Sequence, residues 1–142
     1  MASTITSASV THIPVWFQKE VGKNAYRDNI GLCQSEWLVR LKADSGHEGL
    51  TLGNRFVRAD DGSIGALLEM LQERVIGLSI DDLLSVSGGV VSGPGSGTAS
   101  LFGDHPWLSN AAFDLVGRES GVSAIDLLGG RVDQAGGREP DP

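Results

Sequence analysis

Apolar and polar residues alternate in the first third of the chain, which is the pattern of half-buried β-strands. The alternation is clearest over residues 35–43, and the turn residues at 44–47 connect this run to a short return strand over residues 49–53. The pattern therefore predicts an antiparallel hairpin. On its first strand, the side chains of Trp37, Val39 and Leu41 point to one face. On its second strand, Leu50 and Leu52 share a face.

An earlier strand is predicted over residues 4–13, ending at Pro14 because a central strand does not tolerate the missing N–H. It would join the hairpin as the third strand of an antiparallel sheet. The connection over residues 15–34 is longer than ordinary loops, and such loops are usually functional or disordered. Its mixture of aromatic and cationic residues is typical of a contact surface, although the aromatic rings could instead fold back onto the core. These residues are Trp16, Phe17, Lys19, Tyr26 and Arg27.

From residue 62 onward the apolar spacing changes to the period of amphipathic helices. A first helix follows the pair Asp60–Asp61, and a short second helix is predicted from Ser79 through Leu84. A third starts near Pro106 and stops at Gly121, and a fourth begins at the capping residue Ser123. The apolar stripes of the first and third helices comprise Ile64, Leu67, Leu68, Leu71, Val75, Leu108, Ala111, Ala112 and Leu115. A sheet followed by a small helical bundle indicates an α+β fold.

Two segments lack this periodicity. Residues 87–100 are rich in Gly and Ser and are predicted to be a flexible connector, and residues 132–142 are predicted to be a disordered tail. The length of 142 residues is typical of one domain, which we assign to residues 1–131. A net charge of −7 without a basic stripe argues against nucleic acid or an anionic membrane as partner. With no signal sequence and no long apolar span, we expect a cytoplasmic protein.

Candidate chemistry is sparse. Cys33 is the single cysteine, which excludes an internal disulfide, and the histidines His12, His47 and His105 are too far apart in sequence to suggest a metal site. The pairs Asp60–Asp61 and Asp81–Asp82 precede apolar helical stripes, so we interpret them as favouring helix N-termini. We accordingly predict no catalytic and no metal-binding residue in this chain.

The last helical block carries a resemblance to a known family. Residues 111–118 (AAFDLVGR), followed by Gly121 and by residues 127–130 (LLGG), resemble the corresponding helix and LLGG motif of the mandelate racemase/muconate lactonizing enzyme branch of the enolase superfamily. The order of the upstream LVRL strand, glycine turn and capped helix agrees. Two departures are Phe113 in place of the usual Trp, and Gly53–Asn54 in place of the family's Gly-x-Gly-Glu.

The resemblance implies an N-terminal capping domain without its catalytic barrel. The barrel of the complete enzymes supplies the bases and the carboxylates that hold Mg²⁺, so no cofactor is expected in this chain. Two segments, residues 15–34 and 50–57, would shape the substrate pocket. The implied partner is a barrel domain, or a second copy bound through an uncovered apolar face that includes parts of Trp107, Leu108 and Phe113. The alternative is a stand-alone α+β binding or interaction module derived from the cap. The candidate substrate contacts are Trp16, Phe17, Lys19, Tyr26, Arg27, Leu50, Thr51 and Asn54.

Overall fold

A computed structural model describes residues 3–21, 31–53 and 63–130. The fold is α+β, with a three-stranded antiparallel sheet in the order β1-β2-β3, a separate two-stranded sheet, and short helices. This confirms the predicted fold class. The strands are β1 (Ile5–Val21), β2 (Gly31–Ala43), β3 (Glu48–Leu52), β4 (Leu84–Ser87) and β5 (Val90–Pro94). The helices are α1 (Ser63–Arg74), α2 (Ala99–Asp104), α3 (Leu108–Ser120) and α4 (Ala124–Leu127), with a 3₁₀ turn at Ile80–Asp82.

The first strand continues through Pro14, so the predicted end at that residue is wrong. Pro14 pairs with Ser35 inside an unbroken register from Ser7 to Trp16. The carbonyl of Trp37 accepts a hydrogen bond from Gly53, so Trp37, and Ser35 two residues earlier, direct their backbone groups away from β1. The nitrogen of Pro14 then faces the outer side of an edge strand, where no ladder hydrogen bond is lost.

The helices cover one face of the three-stranded sheet. β2 contributes the predicted inward residues Trp37, Val39 and Leu41, all buried. On β3 the buried residues are Gly49 and Thr51, whereas Leu52 is 51% exposed, so the common face of Leu50 and Leu52 is the outer one. The core also contains Ile5, Ala43, Leu67, Leu71, Val75, Leu108, Ala111, Ala112 and Leu115. The predicted helical stripes are therefore largely confirmed, with Leu68 as the exposed exception.

Close packing of α3 on β3 depends on the absence of a side chain at Gly49. A Cβ atom built there would overlap the carbonyl oxygen of Ala111 and would lie 2.9 Å from the Cβ of Leu115. The helix backbone therefore approaches the strand more closely than any other residue at this position would allow.

Residues 84–94 form a hairpin, which corrects two predictions. The predicted second helix is only a 3₁₀ turn, with no side-chain cap from Ser79. The predicted connector contains the last residue of β4, the whole of β5 and the start of α2. Gly88 (φ +62°) and Gly89 (φ +80°) both adopt positive φ between the strands. A Gly–Gly pair with two positive φ angles is the usual two-residue connection of a β-hairpin, because its twist matches that of the strands.

The ends of the last two helices follow the sequence. Gly121 closes α3 in the left-handed conformation, with φ +74°. The side chain of Ser123 accepts a hydrogen bond from the N–H of Asp126 and so caps α4. The third predicted helix, expected to start near Pro106, corresponds to α3 and begins at Leu108. A separate short helix, α2, precedes it over Ala99–Asp104.

Candidate functional site

The sheet brings the two predicted pocket segments to the same end of the molecule. β1 and β3 both run toward this end, and β2 runs away from it. β1 ends here at Val21, and β3 ends here at Leu52. Among the described residues, Val15 pairs with Gln34 and Leu52 pairs with Leu38, so both segments contribute residues beside the same half of β2. We call this end of the sheet, from His12 and Trp37 outward, the ribbon end.

The sequence predicts a loop over residues 15–34, but both ends of this segment belong to strands. β1 extends to Val21 and β2 starts at Gly31. β3 stops opposite Leu38, so beyond Trp37 the two long strands continue as a two-stranded ribbon. Its six residues on β2 correspond to about 20 Å at the usual rise per strand residue. A ribbon of this kind has little stability without a surface to pack on.

The candidate contacts fall into three groups. Trp16, Phe17 and Lys19 lie on the ribbon strand of β1. Tyr26, Arg27 and Asn54 lie outside the described residues, as do Asp60 and Asp61. Leu50 and Thr51 lie within β3.

Thr51 is buried and its hydroxyl has a structural partner. Its side-chain oxygen donates to the carbonyl oxygen of Trp107 at 3.0 Å, just before α3 begins. The neighbouring N–H of Leu50 points from the outer edge of β3 and donates to the carboxylate of Asp114 at 2.9 Å. The other oxygen of Asp114 accepts from Arg118 Nε at 2.9 Å, an ion pair between residues one helical turn apart on α3. These contacts tie β3 to α3.

His12 and Trp37 stack at the base of the ribbon, and the sequence reasoning did not identify this pair. Their ring centroids are 4.6 Å apart with an interplanar angle of 33°. His12 pairs with Trp37 across β1 and β2, so both side chains project from the helix-covered face. The alternation of β2 predicted the direction of Trp37, but His12 could be placed only once the register was known.

A polar cluster lies at the opposite end of the sheet. Glu119 accepts hydrogen bonds from Ser3 Oγ at 3.2 Å and from Ser45 Oγ, and its carboxylate lies 3.2 Å from His47 Nδ1. The hydrogen bond from Ser45, helped by His47 and Ser3, holds the pKa of Glu119 below its ordinary value, and partial burial opposes this shift.

Although serine, histidine and glutamate are the residues of a catalytic triad, this geometry does not form one. The same imidazole nitrogen, Nδ1 of His47, faces both Ser45 Oγ at 3.3 Å and Glu119. A proton relay needs the two ring nitrogens to contact the nucleophile and the acid separately. The cluster connects the residues before β1, the turn between β2 and β3, and the end of α3.

The described residues do not suit a metal ion. Within residues 3–21, 31–53 and 63–130, no three His, Cys, Asp or Glu side chains converge. Asp81 and Asp82 lie in the first turn of the 3₁₀ segment and are exposed. Among these same residues no helix is long and apolar enough to cross a membrane.

Comparison with known proteins gives matches among solved structures. No protein-family model matches the chain, and no curated protein matches it. Among solved structures, the fold is similar to a member of the enolase superfamily from Agrobacterium tumefaciens, with a TM-score of 0.59 and 20% sequence identity. The match covers 94% of this chain and 39% of that chain. At this level of identity the likeness concerns the fold, and this chain spans about two fifths of the length of that protein.

Proposed function

We propose that this chain is an N-terminal capping domain of the mandelate racemase/muconate lactonizing enzyme branch of the enolase superfamily. Its ribbon end would shape the substrate pocket of a racemase, cycloisomerase or dehydratase that acts on carboxylates with Mg²⁺. The main support is the extent of the structural match, which includes nearly all of this chain but well under half of the enolase-superfamily protein. The placement of both candidate segments at one end of the sheet agrees with a shared role.

The described residues of the chain do not fit the metal that this class of enzyme requires, since their carboxylates do not converge. We therefore assign it no catalytic step and expect it to be catalytically silent alone. Its contribution would be to exclude water and to contact the substrate. Among the candidate substrate contacts, Lys19 and Arg27 are the cations that would pair with a carboxylate group.

A hybrid protein tests this role. Residues 1–130 would be joined to the part of the Agrobacterium protein outside the match, and turnover of a panel of carboxylates would be measured with Mg²⁺. If Arg27 contacts the substrate carboxylate, Arg27→Ala should raise KM by roughly tenfold with a smaller change in kcat, since one charge-assisted hydrogen bond is worth about 1.5–3 kcal/mol. Leu68→Ala, at an exposed position of α1, is the control and should change neither constant.

An unchanged KM for every accepted substrate in Arg27→Ala would contradict the assignment of Arg27. A hybrid that is folded and active with no dependence on Arg27, Lys19 or Tyr26 would exclude the ribbon end as a pocket wall. The second candidate function, a stand-alone binding module, gains support if the isolated chain is a stable monomer.

A further inference from the structure

The cluster around Glu119 joins three parts of the chain that are far apart in sequence. Glu119 lies near the end of α3, Ser3 precedes β1, and Ser45 and His47 belong to the turn between β2 and β3. The backbone holds the turn beside the first strand, because the N–H of Asp44 donates to the carbonyl of Thr4 at 3.0 Å. The side chains of Ser3, Ser45 and His47 then attach this pair of segments to α3.

The charges nearby leave His47 as the cationic partner of Glu119 among the described residues. Arg118, next to Glu119 on α3, is paired with Asp114. Glu48, next to His47, is paired with Arg40 at 3.6 Å, and Lys42 occupies an exposed position on β2. Asp44 is a second anion on the same turn, and it accepts the N–H of Thr4 at 3.3 Å.

The strength of this attachment depends on whether the imidazole of His47 and the carboxyl group of Glu119 carry a proton. An imidazole gains its proton between about pH 8 and pH 5, and only the protonated ring forms an ion pair with a carboxylate. A glutamate carboxyl is ordinarily ionised over that range, and the lowered pKa of Glu119 favours its ionised form further. A carboxyl group with a lowered folded-state pKa stabilises the fold above its unfolded pKa, and this stabilisation is lost as the pH falls through the folded value. The ion pair therefore has an upper and a lower pH limit.

We propose that Ser3, Ser45, His47 and Glu119 form a pH-sensitive clasp that holds the β2–β3 turn and the start of β1 against the end of α3 most tightly at weakly acidic pH. The clasp lies at the end of the sheet opposite the ribbon end, so its opening loosens the turn and the N-terminal strand first. Its existence does not depend on the capping role.

A double-mutant cycle at two pH values tests the clasp on the full chain. His47→Gln and Glu119→Gln remove the charges and keep hydrogen-bonding groups, and urea unfolding gives the folding equilibrium constant of each variant. At pH 5.5 we expect the His47–Glu119 coupling to change that constant by about two- to fivefold, the range for exposed ion pairs, and at pH 8.5 by less than about 1.3-fold.

The Arg74–Asp104 ion pair between α1 and α2 is the matched control. It has a nitrogen–oxygen distance of 2.9 Å and contains no histidine. Its coupling, measured through Arg74→Gln and Asp104→Asn, should be the same at both. A His47–Glu119 coupling equal at the two pH values, or absent at both, would overturn the proposal.

Hydrogen exchange on the unmodified chain provides a second measurement that needs no variant. The N–H of Gly46 donates to Ala43 across the turn. Its protection factor, corrected for the intrinsic effect of pH, should rise about two- to fivefold between pH 8 and pH 6. A protection factor that stays constant would contradict a clasp that closes on protonation.

Discussion

The consequences of single residues are largest where α3 meets β3. Gly49 has a backbone conformation that other residues adopt, but the space for its Cβ atom is taken by Ala111 and Leu115. Thr51, two residues later, is buried, and its hydroxyl donates a hydrogen bond to the carbonyl oxygen of Trp107. Both residues lie on the inner face of the strand, where the sequence pattern alone would have preferred large apolar side chains.

We expect Gly49→Ala to lower the free energy of unfolding by about 1–3 kcal/mol, the usual cost of overpacking. The control is Gly65→Ala in α1, where nothing lies within 4 Å of the added Cβ atom. That change should raise the free energy of unfolding by roughly 0.5–1 kcal/mol, because alanine favours the helix. Urea denaturation measures both. Equal effects of the two substitutions would mean that α3 packs less closely on β3 than described.

At the scale of elements, the sequence predicts regular segments well and irregular ones poorly. The β2–β3 hairpin, the inward side of α3 and the caps at Gly121 and Ser123 all follow from local spacing and side-chain chemistry. The continuation of β1 through Pro14 could not be predicted, because it depends on which side of the strand its partner occupies. The Gly88–Gly89 turn did carry a signal, which the surrounding glycines and serines obscured.

The candidate site was predictable to the same degree. Composition selected the residues of the ribbon, but only the strand order shows that they and the end of β3 lie at the same end of the sheet. The stacking of His12 on Trp37 and the bond from Leu50 to Asp114 depend on register and tertiary packing. Such contacts join residues far apart in sequence, so local patterns carry no information about them.

The attachment of α3 to the outer edge of β3 leads to a prediction about Asp114. Asp114→Ala removes both the acceptor for the Leu50 N–H and the partner of Arg118, so we expect a loss of about 1–2 kcal/mol in the free energy of unfolding. Arg118→Ala removes only the exposed ion pair and should cost about 0.5 kcal/mol or less. Chemical denaturation of both variants distinguishes the two contributions. If the two losses are equal, the bond to the strand contributes nothing measurable.

For the whole molecule, the uncovered apolar face differs from the one expected. Leu108 is 2% exposed and belongs to the core, and Trp107 and Phe113 are half-buried. Several exposed apolar residues lie instead near the end of the described chain, whereas Ile13, Leu52 and Leu68 lie elsewhere. Ile125 (60%) and Leu128 (64%) lie one helical turn apart, and Val90 contacts the position of Gly129 beside them. In a capping domain this face would lie beside whatever follows it.

The exposed face predicts self-association of the isolated chain. At micromolar concentration we expect sedimentation to show species larger than a monomer and the folded chain to bind a hydrophobic dye. The double substitution Ile125→Glu and Leu128→Glu should reduce both signals, whereas Leu68→Glu, an exposed position on α1, should not. A dye-silent monomer that melts cooperatively above about 60 °C would favour the independent binding module over the capping domain.

The packing of α3 on the sheet also determines when the sheet is covered during synthesis. β3 is complete at Leu52, but the helix that covers it ends at Ser120. At a typical rate of 5–20 residues per second, the ribosome needs on the order of 3–14 s to add the intervening segment. Throughout that interval the inner face of β3, at Gly49 and Thr51, lacks the cover of α3, so slower translation of this region should increase aggregation of the nascent chain.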